Sequence, residues 1–451
     1  MKKFNVFVLF FVSALLLILN GCFSPYGADE TNITISLGDL GRVAVSSAEI
    51  NTLSYEVILD GPGGRRTETF SGTSTSIRVR PGTYNVIVRA TGNNPGGAYS
   101  TDFPSRMLRG WGCERVTIQR GQDNPISIKM ATATEVTSAR QLNTALSQNL
   151  GIREHIIVIK DSITDLPGSS DYSVFGRVTL VAENESTINL SSARFTISLG
   201  EPSDGLTLGK EGMGGTLILD GDNNPFTYPL IDISGGNLIM NDGITLRSRN
   251  RTGSGNGGGV ELNGSVASFT MNGGTISRNT VPSDGGGVYV NSGNFTMKGG
   301  TISRNEADWG GGGVAVDGGT FTMEGGEIIN NIAGIDGGGV SVWANGSSFE
   351  MTGGTIAGNT AEQNGGGVIF TRAPVGPSNS FYKGPNAIIT GSDGPNGNSV
   401  KQGNDQGHAV FFGPLDFGRP YIDISVGRGT TLTATGPTDV YTSIPSGLWK
   451  P

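Results

Sequence analysis

Between residues 256 and 370 the chain repeats itself. Gly285-Gly286-Gly287-Val288-Tyr289-Val290 leads into Phe295-Thr296-Met297 and then Gly299-Gly300-Thr301-Ile302-Ser303-Arg304-Asn305. The valine closing each Gly-Gly-Gly-Val falls at Val260, Val288, Val314, Val340 and Val368, at intervals of 28, 26, 26 and 28 residues. A period this constant means stacked units, none able to bury its apolar side chains alone.

Each unit holds three short runs that alternate at period two. Val288 and Val290 oppose Tyr289, Phe295 and Met297 flank Thr296, and Ile302 lies between Thr301 and Ser303. Alternation rich in β-branched residues and bounded by glycine specifies strand, not helix. Three strands and three turns in 26–28 residues make one coil of a parallel β-helix. Stacking at ~4.8 Å then brings like residues into interior columns. Those columns are Phe269, Phe295, Phe321 and Phe349; Met271, Met297, Met323 and Met351; Ile276, Ile302, Ile328 and Ile356. Asn279, Asn305, Asn331 and Asn359 form a further column, read as a turn ladder of left-handed, hydrogen-bonded asparagines. The glycine triplets permit positive φ and close backbone approach; no Gly-Lys-Ser/Thr is present to make them a phosphate cradle.

Gly-Gly-Gly-Val followed by Ile-x-x-Asn resembles the repeat of the chlamydial polymorphic outer-membrane proteins, Gly-Gly-Ala-[Ile/Leu/Val] with Phe-x-x-Asn. Glycine replaces the alanine here and isoleucine the phenylalanine. The resemblance covers about a quarter of the chain. It implies the pectin-lyase-like fold, a right-handed parallel β-helix, which hosts adhesins, tail spikes and polysaccharide lyases alike.

The N-terminus reads as a secretory signal over residues 1–21: Lys2-Lys3, an apolar run from Phe4 to Leu19, then Asn20-Gly21-Cys22. Leu19-Asn20-Gly21-Cys22 resembles the bacterial lipobox, which implies a lipoprotein acylated at Cys22. The alternative is an uncleaved anchor, although the apolar run is shorter than the ~20 residues of a span. Cys113 is the other of two cysteines, so a chain acylated at Cys22 has no intramolecular disulfide. With 31 basic against 39 acidic residues, the dispersed negative charge argues against nucleic-acid partners.

Residues 22–31 form a tether and 32–130 a small β-sandwich, with strands expected at 34–37, 53–59, 76–79, 84–90, 115–118 and 126–130. Pro81-Gly82-Thr83-Tyr84 before Asn85-Val86-Ile87-Val88 resembles the last hairpin of carboxypeptidase-regulatory-like sandwiches; an immunoglobulin-like sandwich is the other form expected. The sequence favours a spacer over a carbohydrate-binding module. A helix at 138–148, with Ser138 and Gln141 as a capping box, is expected to plug the solenoid that fills 131–451. Nothing past Ala434 has the alternating segments of an outer-membrane barrel, so a self-translocating autotransporter is not expected.

The two histidines, His155 and His408, lie far apart along the axis and are assigned surface or turn roles, leaving no basis for a His-based triad or metal site. The better chemical candidate is an acidic turn: Asp284, Asp308 and Asp336 precede successive triplets and Trp309 adjoins the second. Asp284 and Asp336, two coils apart, would stand ~9.6 Å from one another, near the carboxylate separation of inverting glycosidases, with Trp309 to stack on a sugar. Turn chemistry explains the same aspartates. The primary expectation is therefore a non-enzymatic, lipid-anchored protein of a bacterial envelope, at the outer membrane or cell surface. It would use no cofactor and display faces such as the Thr270, Thr296 and Thr322 column to a host surface or glycan. A polysaccharide lyase or glycosidase working through Asp284, Asp308, Trp309 and Asp336 is the alternative, and a glycan-binding lectin the third.

Overall fold

The computed structural model describes residues 30–38, 52–96, 102–147, 154–164, 171–198, 205–343, 346–370, 379–384, 386–390, 397–401, 410–412, 422–426 and 440–442. The signal segment, Cys22, most of the tether and His408 lie outside them. Within the described residues the chain is β-structure with one helix.

Among the described residues seven strands precede the solenoid: β1 Thr31–Gly38, β2 Ser54–Gly61, β3 Gly64–Phe70, β4 Ser74–Val79, β5 Gly82–Asn93, β6 Arg106–Ile118 and β7 Asn124–Lys129. One sheet holds β4, β1 and β7; β3, β2, β5 and β6 form an antiparallel second. Period-two burial in β1 turns Ile33 and Ile35 onto Tyr55, Val57 and Leu59 of β2 and Val86 and Val88 of β5, which together make one core. The opposite face of the second sheet carries Ile58, Ile87, Trp111 and Cys113, which join the solenoid core.

A further strand, β8 (Ala131–Val136), ties the two cores together. It pairs antiparallel with β6 and parallel with β9 (Glu154–Ile159), the first rung of the solenoid. One 15-stranded sheet thus runs from β3 to Ile422–Val426. A buried charge network locks this junction. Glu183 accepts from Trp111 Nε1 at 2.9 Å and Arg89 Nη1 at 3.0 Å, and Arg65 donates to its carbonyl at 3.0 Å. Arg89 also pairs with Glu135, which accepts from Lys160 at 2.8 Å.

The helix α1 spans Ala139–Leu146, capped by Ser138, whose Oγ accepts from the Gln141 N–H at 3.3 Å. The reciprocal arm of the expected box is shifted by one residue: Gln141 Oε1 accepts from the Thr137 N–H at 2.8 Å. Ala139, Leu142, Ala145 and Leu146 are buried in the solenoid core, and α1 packs on Tyr172–Val174 and β8. His155, expected in a surface or turn role, is instead buried in β9, because β8 and Val178 of the next rung flank it on both sides. Its Nε2 meets Thr134 Oγ1 at 2.9 Å.

The solenoid is built of parallel sheets along the repeat. One contains the Phe–Met runs, Ser268–Met271, Asn294–Met297 and Thr320–Met323; another the Ile runs, Thr275–Ser277 and Thr301–Ser303; a third the Val runs, Val260–Leu262, Val288–Val290 and Val314–Val316. Equivalent residues pair in register, so Phe269, Phe295, Phe321 and Phe349 stack with ring centroids 4.8 Å apart and planes within 9°. The Phe, Met and Ile columns are at most 1 % exposed. A fourth, seven-stranded corner sheet was not read from the sequence; its strands, such as Thr280–Val281 and Glu306–Ala307, are two residues long.

The asparagine column is a continuous buried ladder. Asn305 donates from its backbone N–H and from Nδ2 to Asn331 Oδ1, both at 3.0 Å, and Asn279 does the same to Asn305. The left-handed residue expected at the ladder position lies one place earlier, at Arg278 (φ 57°), Arg304 (φ 56°) and Asn330 (φ 57°). The ladder asparagines must point their amides inward, so the exposed residue before them takes the sharp turn. Asn398 continues the ladder beyond Asn359. At the other end the Arg249 N–H donates to Asn279 Oδ1 at 3.0 Å, and its buried guanidinium reaches the carbonyls of Leu190 and Ala193. Burial, with Arg251 nearby, lowers the Arg249 pKa to about 9. The leading glycine of each triplet, such as Gly311 (φ 63°), adopts the left-handed conformation, and a Cβ on Gly313 would lie 2.6 Å from the Gly339 oxygen.

Candidate functional site on the acidic turn

The turn before each glycine triplet stacks Asp284, Gly310, Asp336 and Asn364, the last three through parallel bridges. Asp284 is buried; its Oδ1 accepts from the Gly310 N–H at 2.8 Å and its Oδ2 lies 3.4 Å from Ser283 Oγ. The Asp284 N–H donates to Asn256 Oδ1 at 3.1 Å, so each rung is stitched to the one before. Burial pushes the Asp284 carboxyl up to about 6 against the lowering effect of the Gly310 and Ser283 hydrogen bonds. Asp336 accepts from Asn364 Nδ2 at 2.9 Å, and burial raises its pKa too.

The four residues named from sequence therefore divide. Asp284 and Asp336 share the turn column, two rungs apart. Asp308 and Trp309 sit on the outside of the same turn, Trp309 57 % exposed, with their backbone N–H groups tied to Val281 and Ser283 of the preceding rung. Gly310 supplies no side chain between the aspartates; a Cβ there would lie 3.0 Å from Asp284 Oδ1 and 3.2 Å from Ser341 Oγ.

Beside this turn runs a polar rank that the sequence reading missed. The outward position of the Val-run sheet carries Asp232, Glu261, Tyr289, Ala315 and Ser341 on successive strands. Arg194 bridges Asp171 at 3.1 Å and Asp232 at 2.6 Å and lies 3.8 Å from the centre of the Tyr228 ring. Arg251 pairs with Glu261 at 2.7 Å, and Tyr289 donates to Asp317 at 2.7 Å. Burial raises the Glu261 pKa despite Arg251, and burial with the Asp317 bond raises that of Tyr289. The signal was present: Asp232 and Glu261 stand at the polar position of alternating Ile-Asp-Ile and Val-Glu-Leu strands.

Chemically, Asp284 and Asp336 are acceptors already committed to neighbouring rungs. Burial raises the carboxyl of Asp284 to about 6, and its oxygens are held by Gly310 and Ser283. Among the described residues no three His, Cys, Asp or Glu side chains gather as metal ligands, and no helix is long and apolar enough to cross a membrane. Comparison with family models, curated proteins and solved structures found no match to this chain.

Proposed function

We propose that this chain is a lipid-anchored bacterial envelope protein, a relative of the polymorphic-outer-membrane-protein repeats, that displays a rigid right-handed β-solenoid for adhesion or surface structure without catalysis. Right-handedness accords with the rule for parallel crossovers within one sheet. The two N-terminal sheets act as a sandwich spacer of immunoglobulin-like or carboxypeptidase-regulatory-like form, held to the solenoid by β8. Acylation at Cys22 supplies the membrane partner, and the outer membrane or cell surface is its place.

One observation carries the non-catalytic reading. The aspartates aligned in the turn column spend their hydrogen bonds on the next rung, while outward columns such as Thr270, Thr296 and Thr322 repeat in register as a display surface. The test uses intact cells. Labelled fatty acid should enter the wild-type chain but not Cys22→Ala, and added protease should release solenoid fragments. Fatty-acid incorporation into the variant, or complete protection from protease in cells whose exposed control is cut, refutes the proposal.

A polysaccharide lyase or glycosidase is the second reading, favoured by the raised pKa of Asp284 and the exposure of Trp309. Reducing-sugar or unsaturated-uronide release by wild type, lost in folded Asp308→Asn and Asp336→Asn variants, establishes it.

A further inference from the structure

Where the N-terminal unit meets the solenoid, a cleft of about 700 Å³ opens on the outer face of the long sheet. Asn85 of β5 and Arg115 of β6 form one wall, and the 209–215 loop with Asn241 and Asp242 the other. Thr179 and Thr207 lie side by side on its floor, paired in register on adjacent strands. The volume falls within the ~300–1,000 Å³ of small-ligand sites.

The walls are built. The loop is pinned to the N-terminal unit by Cys113, whose Sγ lies 3.0 Å from the Glu211 carbonyl. Gly212 packs so closely on β6 that a Cβ would stand 3.0 Å from the Glu114 carbonyl carbon. Within the second wall Asn241 Nδ2 donates to the Gly209 carbonyl at 2.9 Å, and Asn272 Nδ2 to Asn241 Oδ1 at 2.9 Å, which fixes a row of amides along the rim. Glu154 accepts from Thr179 Oγ1 at 2.7 Å and faces Lys210 Nζ at 3.8 Å, so the floor's carboxylate is already balanced.

The lining selects a ligand class by elimination. Arg115 and Lys210 stand against Glu154, Glu211 and Asp242, so no net positive field exists to hold a polyanion. The strands of the floor are paired on both sides, leaving no edge for an added peptide strand. Among the described lining residues Met213 is the one large apolar side chain and is itself buried, so the lining offers no apolar anchor point. Amides, threonine hydroxyls and paired charges are what a neutral polyol can satisfy with hydrogen bonds in both directions.

We infer that this cleft is a binding site for a segment of a neutral polysaccharide, with Asn85 and Arg115 on one side of the chain, Asp242 on the other and Thr207 beneath it. The inference rests on the adhesion reading only in naming its ligand; purified protein tests it without reference to anchoring or display. Cello-, xylo-, malto-, laminari- and chito-oligosaccharides would be titrated into the mature chain by calorimetry, with a heparin oligosaccharide as the anionic arm. At least one neutral probe is expected to bind. Thr207→Trp, which fills the floor, and the wall variant Asp242→Ala should each weaken it by about tenfold or more. Ser303→Trp, on the outward side of the Ile-run sheet and away from the cleft, should not. The inference falls if folded protein binds none of the neutral probes, if binding survives both cleft variants, or if heparin alone binds and salt abolishes it. Binding together with failure of the protease or fatty-acid experiments would leave the cleft standing and remove the anchored-display reading.

Discussion

Removing one rung of the asparagine ladder tests the physical account of the solenoid directly. Asn331 Oδ1 accepts from the Asn305 N–H and Nδ2, and its own Nδ2 donates to Asn359 Oδ1 and the Ile302 carbonyl, all at 3.0 Å. Asn331→Ala deletes all four bonds at a position that is 0 % exposed. The Asn305 N–H loses its acceptor inside the protein, which costs about 1–3 kcal/mol. Asn305 Nδ2 keeps its bond to the Ile276 carbonyl, so its loss is partial, about 1 kcal/mol. A small gap where the carboxamide lay adds about 1 kcal/mol, for a total of about 3–5 kcal/mol. Native-state hydrogen exchange is the sharpest assay, because neighbouring rungs interact mainly with one another and the Asn305 amide reports the break locally. Arg304→Gly is the control: it trades relief of a left-handed residue at φ 56° against a freer unfolded chain and should stay within about 1 kcal/mol of wild type. Unchanged protection at Asn305, with under about 1 kcal/mol lost on urea denaturation, would refute the reasoning.

Four shorter predictions follow from the same geometry. Glu183→Ala leaves Trp111 Nε1 without its acceptor and strips Arg89 of one carboxylate, so stability should fall by about 3–5 kcal/mol and the Trp111 emission should shift; a silent variant would show that the junction network is dispensable. Phe321→Ala, mid-stack, should lose about 3–5 kcal/mol by calorimetry, against under 1 for a surface change at Thr322. Asp284 has its pKa raised from 3.8 to about 6, so its stabilising contribution is complete below pH 3.8 and is lost as pH rises through about 6. Asp284→Asn should therefore be the more stable form at pH 7, by up to about 3 kcal/mol, with the advantage shrinking toward pH 4 in paired melts. His155 behaves oppositely. Its pKa is lowered from 6.5 to about 4 by burial, so its contribution is complete above pH 6.5 and lost as pH falls through about 4; His155→Leu should flatten the acid limb of the melting profile.

The columns were legible because the repeat prints the same residue at the same interior position, and stacking does the rest. Phe269 through Phe349 needed no tertiary information. The corner sheet was not legible, since a strand as short as Thr280–Val281 carries no alternation. Asn398 escaped because 39 residues separate it from Asn359, where the repeat spacing is 26 or 28. The strand expected at 115–118 begins at Arg106, because Gly110 and Gly112 broke its pattern; at Gly112 a Cβ would meet the Lys129 oxygen at 2.5 Å, so that glycine marks a close approach, not a strand end. The burial of His155 depended on β8, whose Ala-Thr-Ala-Thr run gave no strong apolar signal. Of the acidic turn, the shared register of Asp284 and Asp336 could be counted from the triplets, whereas their capture by Gly310 and Asn364 depends on how closely the next rung stacks and on side-chain direction, which spacing does not encode.

The strand β8 has a consequence for how such a chain acquires its shape. A parallel ladder begun from nothing must close long loops before its first pairing is rewarded. Here β8 lies against β6 of the N-terminal unit and offers a ready edge to β9, so the first coil is templated, and every later coil copies the register of the one before it. Folding can then advance in one direction, from N-terminus to C-terminus, with a single growing front.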